Sequence, residues 1–542
     1  MAGYMPRAFI RAVVHFHQRC TTPPISGLLA FTGQLVTMRK PRRPIAVAGP
    51  TALPPFDARA PHMSQRPIRP LPPFRRFLWL GLCLCGLFAP ALMPEVAHAE
   101  WQAGLARRKI TPERSMWMSG YAGRNRPADG TLIDLWAKAV VLQDDAGARV
   151  ALVGLDLVGI DRDLYLAILH DLKEKHHLEQ AQVALYCSHT HTGPVVGRNL
   201  LTMYTLDATQ AQLVADYSRD LQRHVVEVVG EALQGLAPAT VAWGSGHNTL
   251  AVNRRNNVEA NVPQLRAQGV LKGPVDYDVP VLSIRRPDGK LAGVVFGYAC
   301  HATVLPIFRW SGDWPGYAQL AVEETHPGTM AVFFAGCGAD QNPLPRRMAE
   351  PPTPAAQEEY GIARAEEYGR SIARSVTQVV AGHMPVIEGR IQSAFREVPL
   401  PLDKLPTRDE IEKEAQSSNQ YAVLRAKMLL KKLDAGEQLS QTYPYPIQVW
   451  KLGDQIQWVS LGGEVVVDFA VRLKKELTGQ KTFVAGYAND VMAYIPSLRV
   501  LKEGGYEGAG AMLFYGLPTV WGPEVEETII RGVHELVGPP AR

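Results

Sequence analysis

Residues 149–188 constrain the fold more than any other stretch of the chain. Residues 149–157 (RVALVGLDL) are a nearly continuous apolar run, as in a strand buried on both faces. Asp161 then opens a helix with Leu164, Ile168, Leu169 and Leu172 on one side. Residues 182–188 (QVALYCS) form a second strand. A strand–helix–strand unit of this kind predicts a parallel pair with a right-handed crossover. The alternation continues. A long amphipathic helix near 209–233 turns Leu213, Tyr217, Leu221, Val225 and Val228 inward. Further strand candidates lie at 294–299, 330–335, 456–461 and 482–487, with a helix at 465–477. The expected fold class is α/β, a mixed and mostly buried β-sheet flanked by helices. There are no internal repeats.

Residues 396–445 break this pattern. Thr407 and Glu410 form a capping box after Pro406, and two charged helical stretches run up to Gln441. This segment is expected to be a helical excursion on the surface, either a lid or a plain insertion.

Charge is unevenly distributed. The formal net charge is +5, yet residues 1–99 hold 12 Lys+Arg against 2 Asp+Glu. The remaining 443 residues hold 45 against 50, so the body is mildly acidic and no nucleic-acid partner is expected. The chain is 46% hydrophobic and 20% charged, which excludes collagen, a coiled coil and a wholly disordered protein.

The basic surplus belongs to a leader. Residues 67–76 (PIRPLPPFRR) precede the apolar run FLWLGLCLCGLFAPALM, and Val-Ala-His-Ala then precedes Glu100. That order is a secretory signal, with cleavage expected near Ala99 and a secreted or periplasmic destination. The run is short for a membrane span, the competing reading being an uncleaved anchor. Residues 1–62, rich in Pro and Arg, are expected to be a mis-called, disordered extension, with Met63 as the true start. Residues 63–99 are then the signal peptide, and residues 100–542 one catalytic domain. That domain keeps only Cys187, Cys300 and Cys337. Each ends an apolar run and reads as a small core residue, with one bridge plus one free thiol as the alternative.

Chemistry-bearing residues collect where strands end. His189-Thr190-His191-Thr192-Gly193-Pro194 follows one strand. In an extended backbone residues i and i+2 share a side, so both imidazoles can face a pocket at the sheet's C-terminal edge. Tyr298-Ala299-Cys300-His301 follows another strand and offers a third imidazole. A Gly-rich turn then presents Asp340, Gln341 and Asn342, and Gly462-Gly463-Glu464 sits at a strand-to-helix junction. A fifth segment, residues 487–506, carries Asp490, Tyr494 and Tyr506. Imidazole and carboxylate suit zinc, and the candidate metal site falls at strand C-terminal ends. Each piece alone also has a structural reading: a hydrogen-bonded histidine, a tight turn, a carboxylate at a helix start. There is no H-E-x-x-H, G-x-S-x-G or Walker loop.

Taken together, the five elements resemble the N-terminal catalytic domain of the neutral/alkaline non-lysosomal ceramidase family, over roughly residues 100–537. HTHTGP resembles the family's His-Thr-His-Ser-Gly-Pro, and the histidine of CHAT its second zinc histidine. Glu464 matches its Gly-Glu turn, and Asn253-Arg254-Arg255 its Asn-Arg-Ser. Tyr494 and Tyr506 match its Tyr-Ile-Thr-Thr…Arg-Tyr-Glu segment. The resemblance implies one zinc per chain, held by His189, His301, Glu464 and Tyr494. It places His191 beside a zinc-bound water, and Arg254 and Tyr506 at the substrate carbonyl or developing oxyanion. Such chemistry is coherent, since zinc brings the pKa of bound water to about 7 and a nearby donor stabilises the tetrahedral oxyanion.

Two departures qualify the resemblance. The family carries Gly-Asp-Val-Ser-Pro-Asn at the third element, whereas Asn342 stands here in the serine's place. An amide can orient substrate but cannot be a nucleophile. The sequence also ends without the β-sandwich domain that follows in ceramidases, which suggests a shorter, divergent relative. The expectation is a secreted zinc-dependent amidohydrolase acting on a small-molecule or lipid N-acyl amide, with transient contact at a membrane surface. The alternatives are a zinc hydrolase of another bond, such as an ester, or an exported metal- or lipid-binding protein without turnover.

Overall fold

The apolar runs become strands covered on both faces. In the computed structural model, which describes residues 101–538, eight strands form one mixed sheet. They are β1 (Trp101–Lys109), β2 (Trp136–Gln143), β3 (Arg149–Leu155), β4 (Val183–Cys187), β5 (Ala237–His247), β6 (Asp278–Arg285), β7 (Leu291–Tyr298) and β8 (Met330–Ala335). Their spatial order is β8-β7-β6-β5-β1-β2-β3-β4. The pairs β3–β4 and β7–β8 are parallel, and the other neighbours are antiparallel. The expected extension 1–62, the signal segment 63–99 and its cleavage point lie outside the described residues.

A second, four-stranded sheet contains β9 (Ile391–Pro401), β10 (Thr442–Leu452), β11 (Ile456–Leu461) and β12 (Lys481–Ala485), in that order. Two of the strands read from sequence, 456–461 and 482–487, therefore do not extend the first sheet. An apolar run announces cover on both faces but not which neighbour supplies it. Here Tyr186, Val332 and Phe334 of the large sheet pack against Trp450, Trp458 and Phe483 of the small one. Tyr186 stacks on Trp458 with ring centroids 5.8 Å apart. Such aromatics each bury roughly 150–250 Å², about 4–6 kcal/mol apiece at about 25 cal/mol per Å², before entropy is charged against it.

Helices complete the outer layers. The far face of the large sheet carries α1 (Arg162–His176), α2 (Ala208–Gln234), α3 (Asp313–Thr325) and α4 (Pro354–Ala381). As read from sequence, α1 is capped by Asp161, whose side chain accepts from the backbone of Asp163 and Leu164. Within residues 396–445 the ends belong to β9 and β10, which pair Glu397 with Pro446. The helical part is confined between them, as α5 (Arg408–Glu414) and α6 (Gln420–Asp434), and the Thr407–Glu410 capping box is formed. This excursion is tied down, because Tyr421 donates to the Ala122 carbonyl at 2.8 Å. The small sheet is covered by α7 (Val467–Glu476) and α8 (Val525–Val537).

The strand ends of the two sheets are stitched together by bridges at Tyr186–Ala488 and Gly336–Ala485. That stitching brings the segments after β4, β7, β8 and β11 to one place. Cys187, Cys300 and Cys337 are buried and free, as small core residues. No helix among the described residues is long and apolar enough to cross a membrane.

Candidate metal centre

His189 and His191 follow β4, and their Nε2 atoms lie 3.1 Å apart. The reason is not the extended backbone expected from sequence. His189 has φ 59°, in the left-handed region, so the chain bends between the two residues. Such strain collects at functional sites, and Tyr487, whose ring lies 4.4 Å from that of His189, has φ 52°. The Thr190 and Thr192 hydroxyls both donate to the Ser311 carbonyl, at 2.7 Å each, and lock the bend. Gly120 makes room for His191, since a Cβ there would come within 2.5 Å of its ring.

His301 follows β7, and its ring centroid is 4.7 Å from that of His189. Glu464 follows β11 and points its Oε2 at both, 3.1 Å from His189 Nε2 and 3.2 Å from His301 Nε2. Tyr494, in the short strand paired with Glu464, brings its hydroxyl to 3.2 Å from His301 Nε2. The core of this group is buried, with His189 and His301 each 1% exposed.

The protons on these rings follow from their outer partners. His189 Nδ1 lies 2.8 Å from the Val158 carbonyl, and His301 Nδ1 lies 2.8 Å from the Gly338 carbonyl. A carbonyl only accepts, so both Nδ1 atoms carry the hydrogen, and in the neutral form of each ring Nε2 presents a lone pair. Burial, with Arg254 close by, pushes His301 down to about 4. Burial and the neighbouring imidazoles also push His191 well below its ordinary value. Glu464 Oε2 meets the two lone pairs without hydrogen-bond geometry and has no partner of its own. One shared proton would serve one of these approaches and leave the other repulsive. A cation between them serves all. Four ligands about 2.1 Å from a tetrahedral ion stand roughly 3.4 Å apart, close to the separations seen here. The donor set of imidazole, carboxylate and phenol suits zinc. His189, His191 and His301 also form a group able to hold a metal by themselves.

Around this core sit the other residues singled out from sequence. Arg254 donates from Nη2 to the Tyr494 hydroxyl at 3.1 Å and from Nη1 to Asn342 Oδ1 at 3.4 Å. Thr303 also reaches Asn342 Oδ1, at 3.4 Å. Tyr506 lies at the mouth, 40% exposed, its ring 5.3 Å from that of Tyr494. Asp340 and Gln341 do not face the centre. Asp340 accepts from Asn253 Nδ2 and from the Val467 backbone, which pins the Arg254 segment to the start of α7. Asp490 accepts from Tyr443 at 2.6 Å and lines a separate cavity of about 220 Å³.

Three participants carry no role in the sequence reading. Glu507 holds Arg254 and Arg255, Tyr515 donates to Glu464 Oε1, and the Tyr487 ring packs at a tilt against that of His189. Glu507 follows Tyr506 in the matched motif, and that adjacency is its only local signal. Tyr515 and Tyr487 have none.

Residues 101–344 match the model of the neutral/alkaline non-lysosomal ceramidase family, N-terminal. Over this segment, 244 of the 542 residues, the chain is similar to that family. The matched stretch contains His189, His191, Arg254, His301 and Asn342, whereas Glu464, Tyr494 and Tyr506 lie beyond it. The chain is also 25% identical over 260 residues to neutral ceramidase 1 of Arabidopsis thaliana, across 47% of this chain and 33% of that protein. It therefore spans about a third of that relative's length. Two solved structures share the fold over more of the chain. Neutral ceramidase from Pseudomonas aeruginosa matches with a TM-score of 0.61 at 22% identity, over 80% of this chain and 73% of that one. A ceramidase complexed with C2 matches with a TM-score of 0.61 at 19% identity, over 82% and 77%.

Proposed function

We propose that the chain is a zinc-dependent amidohydrolase that cleaves an N-acyl amide of ceramide type. The observation that carries this reading is the meeting of Glu464 Oε2 with two imidazole Nε2 atoms at 3.1 and 3.2 Å, all three side chains buried and that oxygen without a hydrogen-bond partner. His189, His301, Glu464 and Tyr494 would hold the zinc, one ion per chain. Bound there, zinc supplies Lewis acidity and a water that is nucleophilic near neutral pH.

The chain's own residues do the rest. Arg254 keeps its charge and offers donors toward the oxygen that turns negative as the carbonyl becomes tetrahedral. Tyr506, at the mouth, meets the same part of the substrate. His191 is neutral, lies beside His189 and passes the water's proton to the leaving amine as the C–N bond breaks. Asn342 Oδ1 is taken by Arg254 and Thr303, so its amide nitrogen is the group left to orient substrate. The names of the similar proteins favour a ceramide-like lipid amide, and such a substrate implies transient contact with a membrane surface. The leader favours action outside the cytoplasm, with mature protein starting at Glu100, which N-terminal sequencing reads directly.

The test is a panel of N-acyl amides and matched esters, with chelator and with zinc added back. We expect amide cleavage that chelator abolishes and zinc restores. Ester cleavage alone would point to the other hydrolase reading. Lipid binding without turnover in zinc-loaded protein would leave a binding protein.

A further inference from the structure

The two oxygens of Glu464 have different surroundings. Oε2 faces His189 and His301, whereas Oε1 accepts from the phenol of Tyr515. Tyr515 closes a short helix, Met512–Tyr515, capped by Gly516 with φ 75°. This helix is clamped from both sides. The Thr202 hydroxyl donates to the Leu513 carbonyl, and the Phe514 ring packs 5.1 Å from that of Tyr421 in α6. Gly516 runs so close to α6 that a Cβ there would come within 2.6 Å of Met428 Cε.

We infer that Tyr515 is a positioning residue for the metal and that the helical excursion holds it in place. The inference rests on the zinc reading of the centre. A carboxylate with both oxygens free can rotate, or can bind an ion through either oxygen or both. By occupying Oε1, the phenol fixes the rotation of Glu464 and leaves Oε2 as the single ligand atom. A phenol is a neutral donor, so it does this without cancelling the charge that attracts the cation. Partners that orient metal ligands in this way typically contribute 10- to 100-fold in affinity. Because α6 packs on the same short helix, the excursion becomes a wall of the centre.

The experiment compares wild type with Tyr515→Phe, which keeps the ring and deletes the donor. Zinc affinity is read by competition with a chromophoric chelator, and ligand geometry by the visible spectrum of the cobalt-substituted protein. We expect Tyr515→Phe to bind zinc 10- to 100-fold more weakly and to change the cobalt spectrum. The melting temperature of the metal-free protein should stay within about 2 °C of wild type. Tyr421→Ala should weaken binding in the wild-type background and add nothing in the Tyr515→Phe background. Equal zinc affinity and an unchanged cobalt spectrum in Tyr515→Phe overturn the positioning role while leaving the centre intact. A wild-type protein that binds no zinc overturns the centre itself, and this role with it.

Discussion

Glu507 accepts from Arg254 Nε at 2.7 Å and from Arg255 Nη1 at 2.6 Å. One carboxylate thus orients two guanidiniums, and Arg254 is left with its outer nitrogens turned toward Tyr494 and Asn342. Burial opposes the charge on Arg254, but Tyr494 and Glu507 outweigh it. Glu507→Gln weakens this hold without touching a proposed metal ligand. A hydrogen bond to a charged group contributes about 1.5–3 kcal/mol, so kcat/KM should fall roughly 10- to 150-fold. Metal content, measured alongside the kinetics, should not change.

His189 and His191 should separate under mutation. His189→Ala removes a proposed ligand, so metal and activity should vanish together. His191→Ala should retain the metal and lose roughly 100- to 10,000-fold in turnover, the usual range for a general acid–base residue. Elemental analysis of the purified variants distinguishes the two. Loss of metal from His191→Ala would indicate that the three imidazoles form the ligand set.

At Asn342 the expected effect is small. Its contacts to Arg254 and Thr303 are long, at 3.4 Å. A neutral hydrogen bond to substrate contributes about 0.5–1.5 kcal/mol, so Asn342→Ala should lower turnover roughly 2- to 13-fold. Asn342→Ser tests whether a hydroxyl at this position moves preference toward ceramide, by comparing kcat/KM on two N-acyl substrates. A collapse of Asn342→Ala to the level of His189→Ala, with metal still bound, would place Asn342 in the chemical step.

Asp490 gives the fold a pH dependence. Burial raises its carboxyl from 3.8 to about 7, against the opposing effects of Tyr443 and Arg162, while Asp161 and Glu397 add to the rise. The folded value lies above the unfolded one, so the contribution to stability is complete below about pH 3.8 and disappears as pH climbs through 7. Each pKa unit corresponds to about 1.4 kcal/mol. Asp490→Asn keeps an acceptor for Tyr443 and cannot ionise. Its melting temperature relative to wild type should therefore rise between pH 4 and pH 8, as thermal scans across that window will show. A flat difference would mean that Asp490 does not titrate in this range.

Local pattern carried much of this structure and stopped where contacts become remote. Residues 330–335 read as a strand and form β8 with the same limits, because six apolar residues covered on both faces leave little choice. The same logic located 456–461 but could not assign it to a second sheet, since Trp458 looks alike in either. His189 and His191 were expected to share a side through an extended backbone, whereas a left-handed bend that the sequence does not announce brings them together. Glycine is the residue that usually marks such a bend in sequence, and a histidine occupies it here. Tyr515 is 51 residues from Glu464, and Glu507 is 253 from Arg254. No local motif records pairings of that range.

The centre gathers side chains from both sheets: His189 and His301 at the ends of β4 and β7, Glu464 at the end of β11. His301 and Tyr494 meet across 193 residues of chain. A chain still folding cannot offer this set, because until the sheets dock it presents only scattered imidazoles and a lone carboxylate. On the proposed zinc reading, metal capture would act as a checkpoint on assembly. A ligand that binds only the native state, present at a thousand times its dissociation constant, stabilises that state by about 4 kcal/mol. That stabilisation would accrue only to molecules whose two sheets have docked, so a metal held here would tie the stability of each sheet to its contact with the other.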